Sequence, residues 1–313
     1  MIYIILAPPT YTLTHPYLIH MLRPTIFILL LTLLPLRLTA QEISYTPEDS
    51  SRIVKMLTDA SSLPADSNAV IHFALQFVGT PYVGHTLEKG DHEHLIVNLR
   101  QLDCSTYVET VTALTLCHYR QQRTFNDYCH LLRLLRYRQG QLTDYTSRLH
   151  YFTWWATDNA ALGLVRDIAP SSPPWSPFTA VQTVNIDYMS THPTSYRQLR
   201  LHPDFTHIIR NLEAATKGER YRYIPKSQLN GSPSSPLSTV RSGDIVAMLT
   251  DSDGLDTRHV GFALWLNGKL HLLHASSLYK RVLISPDTFY DYELRQKKHT
   301  GIRVLRINGQ TQP

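Results

Sequence analysis

The spacing of apolar residues predicts helices in the first half of the chain. Apolar positions recur with the period of an amphipathic helix, and polar residues occupy the opposite faces. The predicted helices are 46–63, 70–78, one that begins at Asp103 or Cys104, and 125–137. Asp66-Ser67 precedes the second helix and is its expected N-cap. The third helix is apolar around most of its circumference, so we expect it to be buried.

Short apolar runs near the end of the chain predict strands instead. The predicted strands are 245–249, 259–266, 270–275 and 302–307. Asn267-Gly268, between two of them, is typical of a two-residue hairpin turn. Early helices followed by an antiparallel sheet predict an α+β fold.

The first forty residues have the pattern of a targeting segment. Arg23 precedes an apolar run over 26–34, which is too short to span a bilayer comfortably, and small or polar residues follow at Thr39 and Ala40. We therefore expect residues 1–40 to be a secretory signal peptide, cleaved after Ala40, and the protein to be exported to the periplasm. Translation from Met21 would leave a more compact signal. The alternative is an uncleaved N-terminal anchor.

Composition excludes several classes of protein. With 43% hydrophobic and 18% charged residues, the chain has the composition of a globular protein. Its net charge of +5 is scattered and forms no basic stripe with aromatic residues, which argues against nucleic-acid binding. Three cysteines do not make a disulfide scaffold, and the odd number leaves a free thiol in an exported protein. Cys117 and Cys129 could pair or could be two buried apolar residues.

Cys104, His259 and His274 are the residues best suited to nucleophilic catalysis. A cysteine that attacks an amide needs a base, and the base needs a polar group to orient it. The helix that starts near Cys104 should lower the thiol pKa and offer free amides to an oxyanion. The predicted hairpin brings the far ends of its two strands together, so His259 and His274 can lie side by side.

Five short motifs around these residues follow one another along the chain: Gly79-Thr80-Pro81-Tyr82, Leu102-Asp103-Cys104-Ser105-Thr106-Tyr107-Val108, Gly243-Asp244-Ile245, His259-Val260-Gly261-Phe262 and Leu273-His274-Ala275-Ser276. Their sequences and their order resemble the NlpC/P60 superfamily of papain-like cell-wall hydrolases. Further matches resemble its DUF1460 branch: Leu87-Glu88, Glu109-Thr110-Val111, Ser147-Arg148-Leu149-His150-Tyr151-Phe152 and Tyr223-Ile224-Pro225-Lys226. The resemblance covers about 67–305, and it implies a papain-like core.

The resemblance also implies roles and a substrate. Cys104 matches the nucleophile, His259 the general base and His274 the orienting residue. The positions that line the substrate groove are matched by Tyr82, Asp103 and Ser105. The branch is associated with amidases that split the bond between N-acetylmuramic acid and L-alanine, preferably in anhydromuramoyl peptides. The implied partners are peptidoglycan fragments; no metal, other cofactor, nucleic acid or obligate protein partner is implied.

A long segment, 139–240, departs from the wider superfamily, where many relatives have a short link. Long structureless loops are rare in compact domains, so we expect a single domain, 41–313, in which this segment forms helices and packs beside the cleft. Arg148 would suit a peptide carboxylate and Tyr151 a sugar ring. The other candidates in this segment are His150, Trp154 and Trp155; the alternative is that the cluster is simply core.

Two rival functions and one metal hypothesis remain. An endopeptidase of the same superfamily would cut between D-glutamate and the diamino acid and would use Asp103 to bind a free L-alanine amine. A wall-binding protein that has lost catalysis is the other rival, and an unreactive Cys104 would favour it. His92-Glu93-His94 has ligand-type side chains, but residues in such a polar loop are usually solvated.

Overall fold

A computed structural model describes residues 43–170, 176–230 and 236–309. The predicted signal peptide, 1–40, lies outside these residues. Within them, no helix combines the length and apolarity that a membrane span requires.

The helices follow the apolar spacing closely. They are α1 (Pro47–Asp59), α2 (Ala69–Leu75), α3 (Cys104–Tyr119), α4 (Phe125–Arg136), α5 (Phe152–Ala161), α6 (Tyr188–Thr191), α7 (Arg197–Leu201), α8 (Asp204–Thr216) and α9 (Phe289–Arg295). The predicted N-cap of α2 is wrong: the side chain of Asn68 accepts a hydrogen bond from the Ile71 N–H at 3.1 Å. An N-cap oxygen must lie next to the first turn, and Asp66 and Ser67 precede that position.

The strands form a two-stranded parallel sheet and an eight-stranded antiparallel sheet. They are β1 (Ile43–Ser44), β2 (Leu95–Ile96), β3 (Val165–Asp167), β4 (Ala180–Thr183), β5 (Arg220–Pro225), β6 (Ile245–Thr250), β7 (Thr257–Leu266), β8 (Lys269–Ser276), β9 (Arg281–Ile284) and β10 (His299–Ile307). The larger sheet has the order β4-β5-β10-β6-β7-β8-β9, and β3 also pairs with β10. The predicted α+β fold with a closing antiparallel sheet is confirmed.

The mid-chain segment is part of the main sheet. It contributes helices, as expected, but its strands β3 and β5 both pair with β10, and β4 pairs with β5. Strand pairing between such distant parts of the chain leaves little trace in local sequence pattern.

Helix α3 is fixed against the sheet by Tyr107. This residue is fully buried, its hydroxyl donates to the Ala74 carbonyl at 3.0 Å, and its ring meets Phe262 of β7 edge-on at 5.6 Å between centroids. Edge-to-face aromatic pairs favour this geometry and add to the energy of burial. The packing fixes the first residue of α3 relative to strand β7.

Candidate active site

Cys104 is the first residue of α3, and Asp103 caps that helix. The Asp103 carboxylate accepts hydrogen bonds from the Thr106 N–H and from the Thr106 hydroxyl, each at 2.8 Å. The Thr106 hydroxyl in turn accepts from the Asp103 N–H at 2.9 Å, which completes a capping box. The half-buried Cys104 therefore projects from a well-fixed helix N-terminus.

The β7–β8 hairpin brings His259 and His274 into contact. Nε2 of His259 lies 2.6 Å from Nδ1 of His274, and the rings are nearly perpendicular. The Asn267-Gly268 turn has positive φ at both residues, as a tight two-residue hairpin turn requires. His274 is 1% exposed, whereas His259 is half-buried.

Gly261 makes room for this contact. Phe262 pairs with Leu273, so Gly261 lies opposite His274 across the hairpin. A Cβ added to Gly261 would lie 2.9 Å from the His274 Cβ and 2.9 Å from the Leu273 carbonyl oxygen. Only glycine at this position lets β8 hold His274 so close to β7.

A cleft of about 200 Å³ joins the catalytic candidates to the mid-chain segment. One wall is the start of α3 with Cys104 and Ser105, and a second is residues 255–260 with His259. The third wall comes from 149–155, with Met189 and Tyr196. A cleft that contains a cysteine and a histidine and is closed by aromatic residues has the features of a ligand site.

Burial keeps both Cys104 and His259 uncharged near neutral pH. Burial and then the Asp103 carboxylate raise the pKa of Cys104 to about 11, against the lowering effects of the Val260 N–H and of the Ser105 hydroxyl and N–H. The pKa of His259 lies well below its usual value, because of burial and then its neighbours His274 and His299. The expectation that the helix N-terminus gives Cys104 a lowered pKa is therefore wrong; desolvation outweighs it.

The neutral state suits general-base chemistry. Burial lowers the pKa of His274 to about 4, so this ring is also neutral near pH 7. If Nε2–H of His259 donates to Nδ1 of His274, the Nδ1 lone pair of His259 is free to accept the thiol proton. His274 then acts as a neutral acceptor that fixes the tautomer of His259.

The residues predicted to line the groove occupy three different environments. Ser105 lines the cleft. Tyr82 is half-buried, and its pKa is raised to about 12 by burial and then by Cys104 and Asp103, so it lies near the thiol. Asp103 is half-buried and serves as the N-cap.

Arg148 is engaged elsewhere. It is 7% exposed, and its guanidinium forms ion pairs with Glu88 at 2.8 Å and with Glu93 at 2.6 Å. It does not line the cleft. This corrects the prediction that Arg148 meets a peptide carboxylate: its charge ties the loop with Glu88 and Glu93 to the mid-chain segment.

Tyr151 does line the cleft, with its hydroxyl turned into the protein. That hydroxyl donates to Glu213 at 2.7 Å and accepts from the Met189 N–H at 2.9 Å. The ring of Tyr151, together with Phe152 and Trp155, forms the aromatic part of the cleft wall. Trp154 is instead buried in the core, where its indole N–H donates to the Thr216 hydroxyl.

Two further residues of the site were not predicted. Tyr292 of α9 meets His274 edge-on at 5.6 Å between centroids, and no local motif marks it. Arg258 lines the cleft beside His259, although strand alternation would point the two side chains to opposite faces. A β-bulge in β7 accounts for this, and no local sequence motif marks it.

The remaining sequence candidates have structural roles. Cys117 and Cys129 are buried free thiols. Asp244 of the Gly243-Asp244 motif is buried in an ion pair with Arg306 at 2.6 Å. The described residues contain no group of three or more histidine, cysteine, aspartate or glutamate side chains arranged to hold a metal ion.

Comparisons with solved structures find close relatives. An N-acetylmuramoyl-L-alanine amidase from Bacteroides uniformis is 34% identical with a TM-score of 0.71, covering 77% of this chain and 97% of that one. A Bacteroides fragilis protein, provisionally called a xylanase, is 37% identical with a TM-score of 0.70, covering 75% and 99%. A Legionella pneumophila protein described by the DUF1460 family model shares the fold at 22% identity and a TM-score of 0.60, covering 83% and 94%.

The comparison with protein-family models agrees with the amidase from Bacteroides uniformis. A search among curated proteins found no match. The model of the AmiA-like family, described as N-acetylmuramoyl-L-alanine amidase-like, matches residues 72–302. The chain therefore belongs to the AmiA-like family and is an enzyme of the N-acetylmuramoyl-L-alanine amidase-like kind.

Proposed function

We propose that the protein is a papain-like cysteine amidase of the NlpC/P60 type, with Cys104, His259 and His274 as its catalytic machinery. It hydrolyses the bond between N-acetylmuramic acid and L-alanine in muramoyl peptides released from the cell wall, including anhydromuramoyl peptides. The observation that carries the proposal is one arrangement: a cysteine at a helix N-terminus shares a cleft with a histidine whose far nitrogen is 2.6 Å from a second histidine.

In the first step, the Cys104 sulfur attacks the lactyl carbonyl carbon as His259 Nδ1 takes the thiol proton. The oxyanion that forms accepts hydrogen bonds from N–H groups of the first turn of α3. Because those groups are fixed by the Asp103–Thr106 capping box, they need no reorganisation as the charge develops.

In the second step, the intermediate collapses. His259 donates its proton to the L-alanine nitrogen, the C–N bond breaks and the peptide leaves with a free amine. A thioester remains between the lactyl carbonyl and Cys104. His259 then removes a proton from water, which attacks the thioester and releases the lactyl carboxylic acid, while the sulfur regains its proton.

The mid-chain wall supports the amidase over the endopeptidase alternative. A cut next to muramic acid requires space for a sugar beside Cys104, and aromatic rings such as Tyr151, Phe152 and Trp155 suit a sugar face. An endopeptidase would instead use Asp103 to bind a free amine; Thr106 donates to Oδ1 of that carboxylate, so the amine would have to bind through Oδ2. The named amidase relative from Bacteroides uniformis favours the same choice.

A glycosidase, which the name of the Bacteroides fragilis relative raises, has less support. Glycoside hydrolysis uses two carboxyl groups that flank the scissile bond. The cleft carboxylates are Glu109 and Asp256, and both have structural partners. Glu109 is paired with Arg136 at 2.8 Å, and Asp256 accepts from the Thr153 N–H at 2.6 Å.

Mass spectrometry of the protein incubated with an anhydromuramoyl tripeptide tests the proposal. Release of free tripeptide and anhydromuramic acid is expected, and Cys104→Ala should abolish it while the circular dichroism spectrum stays unchanged. Cys117→Ala is the matched control, because that thiol is buried in the core and should be dispensable. A muramoyl dipeptide product would favour the endopeptidase, and turnover by Cys104→Ala would refute the mechanism.

We also propose that the enzyme acts after export, in the periplasm, where such peptides are released. The apolar N-terminal segment supports this. Fractionation with sequencing of the N-terminus of the exported form tests it, and protein confined to the cytoplasm with residues 1–40 intact would contradict it.

A further inference from the structure

Arg258 reaches the cleft because strand β7 is irregular beside His259. Met248 of β6 pairs with His259, and the next residue, Leu249, pairs with Thr257, so β7 has one extra residue at this point. That residue is Arg258. A bulge of this kind breaks the strict alternation of side chains and re-aims one of them, and bulges are common next to active sites. Arg258 and His259, although adjacent, consequently both line the cleft.

The Arg258 guanidinium is exposed and has donors to spare. Its Nη1 donates to the Ser252 hydroxyl at 3.0 Å, which tethers the head group to the neighbouring loop. Among the described residues no carboxylate lies within ion-pair distance of it, unlike the buried arginines Arg136 and Arg148. Since a guanidinium carries five N–H donors, four remain for a ligand.

The acids of the cleft do not neutralise this charge. Glu109 is paired with Arg136, and Asp256 is turned toward the backbone of α5, where it accepts from the Thr153 N–H. The cleft next to the catalytic candidates is therefore lined by an arginine whose head group is held by Ser252 and whose charge no described carboxylate neutralises. A guanidinium in this setting selects a carboxylate, which it binds through two parallel hydrogen bonds.

We propose that Arg258 is a specificity-determining residue that binds the free α-carboxylate of D-glutamate, the second residue of the stem peptide. The inference rests on the proposed function. A residue spans at most about 3.5 Å, so the second residue after the scissile bond lies within about 7 Å of the attacked carbonyl. Arg258 is next to the proposed general base His259, and its long side chain can span that distance. On the other side of the scissile bond, the lactyl group and the sugar carry no anion that Arg258 could bind.

Two anhydromuramoyl tripeptides that differ only at the D-glutamate α-carboxyl group, as carboxylate or carboxamide, test this role. The wild type should prefer the carboxylate by about tenfold to a hundredfold in kcat/KM, mainly through KM. Arg258→Gln should bring that ratio close to one, and Arg258→Lys should keep part of it as a point charge. Arg210→Gln, an exposed arginine of α8 outside the cleft, is the charge-matched control and should keep the wild-type ratio.

A wild type without preference, or Arg258→Gln with an unchanged ratio, would overturn the proposal. Calorimetric Kd values of both tripeptides for the Cys104→Ala protein give the same comparison without turnover. If the wild type cleaves neither tripeptide, the proposed amidase function fails, and the ratio of the two Kd values still decides the role of Arg258.

Discussion

His259 Nε2 and His274 Nδ1 lie 2.6 Å apart, and this contact leaves only one nitrogen of His259 for chemistry. Because His274 is buried and neutral, it contributes no charge, and in the tautomer that the proposed mechanism requires, its Nδ1 accepts the hydrogen bond from His259. A carboxylate in its place would stabilise the imidazolium form of His259 electrostatically. In the proposed mechanism, this histidine pair therefore keeps His259 as a neutral base until it accepts the thiol proton of Cys104.

Substitutions of His274 should separate positioning from charge. His274→Ala removes the acceptor, so we expect kcat to fall about a hundredfold with little change in KM. His274→Asn keeps an acceptor near the Nδ1 position and should restore part of kcat. His274→Asp adds a charge and should move the acid limb of kcat/KM to higher pH. Steady-state kinetics across pH measure all three.

Two results would contradict this role for His274. If His274→Asn were as inactive as His274→Ala, an acceptor would not be what the position supplies. If His274→Asp left the acid limb in place, the two side chains would not be coupled in solution. Thermal denaturation of each variant checks that the loss is not one of folding.

The pH profile of kcat/KM should be broad. The proposed mechanism needs neutral His259, whose pKa is lowered by burial, so we expect activity to be lost only as the pH falls through a value below the ordinary 6.5 of histidine. At the alkaline side, Cys104 should ionise with a pKa of about 11. A narrow bell-shaped pH profile of kcat/KM, with the midpoint of its acid limb above pH 6.5, would contradict a resting state in which Cys104 and His259 are both neutral.

The same protonation state predicts slow alkylation of Cys104. The thiolate is the reactive form, and burial keeps the thiol protonated near neutral pH. Iodoacetamide should modify Cys104 slowly at pH 7 and progressively faster toward pH 11, as followed by intact-protein mass spectrometry. Low reactivity at pH 7 thus fits an active enzyme, and only turnover separates it from a wall-binding protein.

The elements that carry the catalytic candidates could be predicted from local sequence. The helix from Cys104 has its own N-cap in Asp103, and the strands around Asn267-Gly268 have their own turn residues. Such signals act within a few residues, so a single sequence displays them. The juxtaposition of His259 and His274 followed from the hairpin alone.

The environment of the site could not be predicted in the same way. Arg148 was a candidate ligand because its charge is visible in the sequence, whereas its partners Glu88 and Glu93 are distant along the chain. The raised pKa of Cys104 comes from burial, which depends on the whole fold. The bulge at Arg258 depends on pairing between β6 and β7 and has no local signature.

Gly261→Ala should disturb catalysis through His274. The added Cβ would meet the His274 Cβ and the Leu273 carbonyl at 2.9 Å, so β8 must shift away from β7. We expect kcat to fall at least about tenfold and the free energy of unfolding to fall by about 1–3 kcal/mol. Gly84→Ala, where an added Cβ meets nothing within 4 Å, is the control. Unchanged kcat in Gly261→Ala would mean that the histidine contact tolerates displacement.

Arg148→Gln should lower stability, in contrast to Arg258→Gln. Removing the guanidinium leaves the carboxylates of Glu88 and Glu93 without their ion-pair partner, and the side chain of Glu93 is almost fully buried. Loss of one partner from a buried ion pair costs about 3–5 kcal/mol of unfolding free energy. Urea denaturation should register this loss for Arg148→Gln and almost none for the exposed Arg258→Gln. An Arg148→Gln protein of wild-type stability with a raised KM would instead restore Arg148 as a ligand contact.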